Sequence, residues 1–300
     1  MKPQKKAYLF AFAAISCWST IGSAFKISLR YVDPMGLLFF ASLVACMLLF
    51  AILLAQGKLS MLRNLTPKEV LLSAFLGLLN PFLYYSVLLK AYDLLQAQEA
   101  GTLNYIWPLI LVLLSIPMLR QKISFISIVA IFISFAGIII ISSHGQFSGS
   151  CSTAAQPDRI GHTYGVLLAL GSAILWALYW IFNVKDQREA VSKLFMNFCF
   201  GFLYSLILIV VSGRFRFPVW QGLTGSIYIG LFEMGITFVL WLYALKFSST
   251  TAKVSNLIYI SPFISLIIIH VTIGEAILPS TVIGLLMIIS GITLQQYLKR

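Results

Sequence analysis

Charge is scarce in this chain of 300 residues: only 10% are Asp, Glu, Lys or Arg, and just nine are acidic. Soluble domains average about 25% charged residues. Here 60% of the residues are apolar, which excludes a water-exposed fold and predicts an all-α integral membrane protein. The few carboxylates leave little for an acid–base pair or a metal site. Gly-x-Ser-x-Gly, His-Glu-x-x-His and Walker A patterns are all missing. The chain is therefore not read as an enzyme, and catalytic residues, cofactors and metal ligands are expected to be none. Cysteine is sparse as well: Cys17, Cys46 and Cys199 fall in apolar runs, Cys151 in a polar connection, and no pair has metal or redox spacing. Long polar stretches are also lacking, apart from residues 143–161.

What fills the chain is ten apolar runs, each close to the roughly 20 residues that cross a bilayer as a helix. They lie near 7–29, 35–55, 69–91, 97–118, 124–142, 162–183, 194–212, 221–245, 252–273 and 279–298. Lys2, Lys5 and Lys6 before the first run imitate a secretory signal. That run is too long and lacks a cleavage site, so an uncleaved first helix is expected.

Basic residues are distributed unevenly between the two sets of connections. With the N-terminus placed in the cytoplasm, Lys26, Arg30, Lys90, Arg159, Arg214 and Arg216 fall outside, and the other fifteen of the 21 fall inside. The positive-inside rule then predicts a multi-pass protein of the cell (inner) membrane with both termini cytoplasmic and 143–161 outside. The same bias accounts for the net charge of +12 through anionic lipid headgroups, with no nucleic-acid partner.

Tyr105 and Pro108 recur as Tyr259 and Pro262, each 154 residues on, and the same offset carries Gly137 to Gly291. Trp18 and Trp176 correspond in the same loose way, each about halfway along its run. Two copies of one unit are expected, at 1–142 and 162–300, joined by 143–161. Five spans is an odd number, so the copies must be inverted relative to each other, giving ten transmembrane helices in a five-plus-five inverted-topology repeat. Such repeats characterise secondary transporters, whose substrate site lies near the midplane between them.

Residues carrying a more specific likeness are Gln96-Ala97 with Glu99, Gly101, Asn104-Tyr105-Ile106-Trp107-Pro108 and Gln121-Lys122, then Trp176-Ala177 with Tyr179, and Tyr259 with Ser261-Pro262. With these the chain resembles, over nearly its whole length, the EamA type of the drug/metabolite transporter superfamily, and most closely its bacterial aromatic amino acid exporter branch. The superfamily often closes its fourth and ninth helices with Gly-Glu. Here Gly274-Glu275 keeps that pair, and Arg120-Gln121-Lys122 replaces it in the first half. The resemblance implies a secondary active exporter of small amphipathic metabolites, with aromatic amino acids favoured. A channel-like facilitator or an uptake permease is the alternative.

Helical spacing selects the candidate substrate residues. Trp176, Tyr179, Trp180 and Asn183 share a stripe; Trp180 reads equally as a belt residue at the membrane interface. Asn80 and Tyr84 flank Pro81, a bend beside a cavity or a plain kink. Asn104 and Asn256 suit either hydrogen-bonded glue between helices or a substrate contact. Trp18, Trp107, Trp241 and Tyr259 supply large flat surfaces, and Pro108 and Pro262 mark further bends. Glu99 reads as a helix cap or gate, and His270 as a satisfied polar residue. Gly222, Ser226 and Gly230 form a small-residue packing stripe. Glu233 is the most informative residue. A charge at a helix centre costs about 2.5–3.5 kcal/mol on insertion scales, and Glu233 stands 153 residues after Asn80 at the same depth, with Thr237 and Trp241 on its face. Its readings are substrate or proton binding, against a neutral carboxyl that ties helices together.

Overall fold

A backbone buried in lipid must satisfy its own hydrogen bonds, which leaves these apolar runs one local solution, the helix. The computed structural model describes residues 3–119, 125–142, 159–213, 215–248, 254 and 256–297, and every regular element among them is helical. In chain order they are α1 (Pro3–Ser28), α2 (Pro34–Ala55), α3 (Ser60–Arg63), α4 (Pro67–Gly77), a π-helical turn (Leu78–Leu83), α5 (Tyr84–Leu94), α6 (Ala97–Asn104), α7 (Trp107–Leu119) and α8 (Phe125–Ser142). There follow α9 (Arg159–Lys185), α10 (Ala190–Ser212), α11 (Trp220–Ile229), a second π-helical turn (Gly230–Gly235), α12 (Ile236–Phe247), a 3-10 turn (Asn256–Ile260), α13 (Ser261–Ile273) and α14 (Pro279–Tyr297). Six helical segments are both long and apolar enough to cross a membrane: Pro3–Ser28, Pro34–Ala55, Pro67–Leu94, Ile160–Asn183, Ala190–Ser212 and Trp220–Phe247. Shorter apolar helices occur at Phe132–Ile141, Leu257–Ile273 and Pro279–Leu294. Arg120, Gln121, Lys122, Cys151 and most of the 143–161 connection lie outside the described residues.

Local chemistry sets the ends. Asp33 caps α2 by accepting from the Met35 and Gly36 amides at 3.1 Å, with Pro34 in the first turn. Thr66 and Glu69 form a capping box on α4. Gly213 and Gly274 end α10 and α13 at φ 63° and 80°, where a side chain would be strained.

Four segments are interrupted. Pro81 has no N–H to donate, and the backbone leaves helical values at Asn80 (φ −147°, ψ 120°). The second π turn ends at Gly235 (φ −108°, ψ −87°). α6 gives way to α7 across Tyr105 and Ile106, just before Pro108, and the 3-10 turn gives way to α13 just before Pro262.

The packing is reciprocal. α1 packs on α12 and α13, while α9 packs on α5 and α7. α2 packs on α10, on α11 and on the second π turn; α10 packs on α4 and on the first. α8 lies along α14. The Gly222–Ser226–Gly230 stripe runs from the α1–α2 connection onto α2: a Cβ on Gly222 would come 3.2 Å from Val32 Cβ, and one on Gly230 2.5 Å from the Ala41 carbonyl. Polar groups gather at the two ends of the bundle. At one, Lys58 pairs with Glu189 (2.7 Å) and Arg188 with Asp186 (2.6 Å). Burial pushes the Asp186 carboxyl up, but the Arg188 guanidinium outweighs it and holds the group below its usual range. At the other end, Lys26 donates to the Tyr92 and Leu95 carbonyls at 2.7 and 2.5 Å, a cation at the C-terminus of α5.

The tightest crossing near the interrupted third segment is α4 on α10. A Cβ on Gly77 would lie 2.3 Å from the Asn197 carbonyl, and one on Gly201 2.3 Å from the Pro81 ring. Gly77→Ala is expected to destabilise the protein by about 1–3 kcal/mol, the usual cost of overpacking, read as a lower Tm in detergent. Gly171→Ala, inside α9 with nothing within 4 Å of the added methyl, is the control and should not lower Tm.

Candidate functional site

The interruptions open a cavity of about 610 Å³ among α1, α5, α6, α7, α9, the second π turn, α12, the 3-10 turn and α13. Small-molecule sites occupy roughly 300–1,000 Å³. Its aromatic wall centres on Trp176, whose ring lies 4.6 Å from Tyr84 and 6.4 Å from Trp107 between centroids. Across from it, Trp18 packs on Trp241 at 5.3 Å. Tyr259 adds a further surface, and Pro108 and Pro262 reach the same space at the two helix breaks.

Asn104 lines the cavity and also ties three elements. It accepts from the Tyr84 hydroxyl at 3.3 Å and donates to Ser172 at 2.8 Å. Both of its sequence readings, glue and contact, are therefore open to one side chain. Ser19 and Ser261 join α1 to the start of α13 at 3.1 Å.

Glu233 is the buried carboxylate of the cavity. The π turn presents it to α5, where the Tyr85 hydroxyl donates to Oε1 at 2.8 Å; Oε2 has no protein partner. One oxygen is fixed, and the other is free for a ligand or a proton. Tyr85 escaped the sequence reading because it lies 148 residues from the group it serves and no periodicity connects them.

Other residues picked from the sequence lie elsewhere. Thr237 is fully buried off the cavity and donates to the Phe232 carbonyl, so it closes the π turn. Asn80, Pro81 and Tyr179 are buried and do not line the cavity: the π turn carrying Asn80 and Pro81 packs on α10, and the Tyr179 ring lies 5.9 Å from that of Trp176. The side chain of Asn256 lies outside the described residues. Among the described residues, no three of His, Cys, Asp and Glu converge to hold a metal ion.

The cavity is closed at one end and reaches an exposed residue at the other. At the closed end lie Ala97 and Gln98, whose amides donate to the two oxygens of Glu275 at 2.9 and 3.1 Å. A carboxylate from the α13–α14 connection thus caps α6, which has no side-chain cap of its own at Gln96. The Gln98 side chain donates to the Ala276 carbonyl (2.7 Å) and accepts from the Leu278 amide (3.3 Å). His270 Nδ1 donates to the Glu275 carbonyl at 2.9 Å. Beside this clamp, Glu99 meets His162 at 3.0 Å. At the opposite end the lining runs to Leu245 and to Lys185, which is exposed.

Known proteins resemble the chain over nearly its full length. An uncharacterized transporter of Clostridium kluyveri is 26% identical over 296 residues, covering 96% of this chain and 92% of its own. The aromatic amino acid exporter YddG of Ancylobacter novellus is 24% identical over 299 residues and covers 99% of both. A crystal structure sharing 22% identity superposes with a TM-score of 0.67, covering 97% of this chain and 98% of its own, a likeness of fold. The model of the EamA-like transporter family matches twice, at residues 5–143 and 163–295. The chain is a multi-pass membrane protein and belongs to the EamA-like transporter family.

Proposed function

We propose that the chain is a secondary active transporter, an exporter of small amphipathic metabolites with aromatic amino acids favoured, working by alternating access about the central cavity. The observation that carries this reading is Glu233, a carboxylate with one uncommitted oxygen in a cavity walled by Trp18, Tyr84, Trp107, Trp176 and Trp241. An ammonium group suits the carboxylate, and a flat apolar body suits the rings. The printed name of the Ancylobacter novellus relative supports aromatic amino acids.

Ten membrane-spanning helices in inverted five-helix units, 1–142 and 162–300 joined by 143–161, account for the reciprocal packing. They also account for interruptions at matching places, Leu78–Leu83 with Gly230–Gly235 and Tyr105–Ile106 with Asn256–Ile260. With both termini cytoplasmic in the inner membrane, Lys185 marks the inner end of the cavity and Glu275 closes the outer one. Rocking of the units then has to break the Glu275 clamp.

Purified protein in liposomes tests the reading. Trans-loaded aromatic amino acid should accelerate uptake of labelled substrate, with saturation and a response to an imposed proton gradient. Flux that neither saturates nor shows counterflow would make the protein a channel-like facilitator.

A further inference from the structure

Asn80, Tyr179 and Asn197 were set aside by the cavity, yet their surroundings are not those of packing residues. All three are fully buried. Neither amide atom of Asn80, neither of Asn197, nor the Tyr179 hydroxyl has a hydrogen-bond partner. The hydroxyl faces both amides, but no pair closes to hydrogen-bond geometry. Buried polar groups in folded proteins are almost always paired, with protein or with ordered water, because a donor or acceptor stripped of water is costly.

The fold assembles this cluster with care. Gly77 lets α4 settle on the Asn197 carbonyl, and Gly201, one turn further along α10, receives the Pro81 ring. Asn80 is fixed between them, at the residue where the third segment leaves helical geometry. Two more unpartnered buried atoms continue the polar face: Ser73 Oγ, one turn before Gly77 on α4, and Asn183 Oδ1, one turn after Tyr179 on α9.

The donor and acceptor inventory decides what fits. Two carboxamides present four N–H bonds beside their oxygens, and the tyrosine hydroxyl both donates and accepts. A sodium or potassium ion would use the oxygens and leave all four N–H bonds unmet. Water serves both kinds of group, with about three hydrogen bonds for each buried molecule.

We propose that Asn80, Tyr179 and Asn197 enclose a hydration site: ordered water, distinct from the substrate cavity, that bridges the interrupted third segment to α9 and α10. Asn183 extends this site toward the end of the bundle where Lys193 donates to the Asn183 and Asp186 carbonyls at 3.1 and 2.8 Å. The role of the water is to satisfy the polar groups at the bend at Asn80, where the first π turn packs on α10. The site rests on burial and stoichiometry, and stands whatever the substrate is.

The test is a structure of the full chain in lipid nanodiscs, at a resolution that shows water, determined in sodium and again in choline buffer. Density within hydrogen-bond reach of both amides is expected in both. Density in sodium alone would replace the water with a cation and overturn the proposal. So would side chains that close on one another with no density between them. A second measurement is independent of density. Tyr179→Phe keeps the ring and removes one water partner, so Tm should fall by several degrees with the fold retained. An unchanged Tm would also overturn the site, because a group that binds structural water cannot be lost without effect.

Discussion

Glu233→Gln is expected to fold, to reach the membrane, and to transport without the pH dependence of the parent protein. The geometry makes this substitution discriminating. Tyr85 donates to Glu233 Oε1 at 2.8 Å, and a glutamine oxygen accepts the same bond, so the tie between α5 and the second π turn survives. What disappears is the ionisable character of the unpartnered oxygen Oε2 on this cavity-lining residue, and with it the ability to carry a proton or meet an ammonium group. A hydrogen bond to a charged partner contributes about 1.5–3 kcal/mol, and 1.4 kcal/mol is a factor of ten. KM for an amine-bearing substrate should therefore rise by about tenfold or more, and the pH profile should flatten. Parent-like KM and pH dependence in the folded variant would reduce Glu233 to a neutral strut between helices.

Glu275→Ala is expected to unlock the closed end of the cavity. Both carboxylate oxygens are engaged by the first two amides of α6, at 2.9 and 3.1 Å, and alanine leaves those donors uncapped. Losing two charge-assisted bonds at about 1.5–3 kcal/mol each shifts the balance between closed and open by at least about tenfold. The measurement is the labelling rate of Ile269→Cys, a cavity position at that end, by an impermeant thiol reagent, with the four native cysteines replaced. The rate should rise by about that factor when reagent is added from the Glu275 side. Equal rates with and without Glu275 would remove the clamp from the transport cycle. Gln98 would then hold the end shut alone through its bonds to Ala276 and Leu278.

The sequence by itself determined what depends on near neighbours and on solvent. Hydrophobic runs near twenty residues have to become helices in lipid, and the described residues of these runs are largely helical, with six segments long and apolar enough to cross a membrane. Pro81, Pro108 and Pro262 lack an N–H wherever they stand, and three of the four interruptions lie beside them; the fourth, Gly230–Gly235, has no proline and was not legible. Burying Glu233 has a cost that any reader of the chain can count. Trp18, Trp107, Trp176 and Trp241, chosen because they are large and lie deep in their runs, all reach the cavity. Tertiary structure alone decided which face of each helix meets which neighbour. Asn80 and Tyr179 are of the same residue types as Asn104 and Tyr84, yet neither lines the cavity, and the Pro81 ring beside Asn80 packs on Gly201 of α10. Thr237 shares a face with Glu233 but spends its hydroxyl on a carbonyl freed by the π turn. The Tyr85–Glu233 bond and the Glu275 cap on α6 join residues 148 and 178 positions apart. The physical reason is one of range: backbone geometry and partition into lipid act over a turn or a run, whereas a hydrogen bond between distant side chains exists only once the helices that carry them have packed.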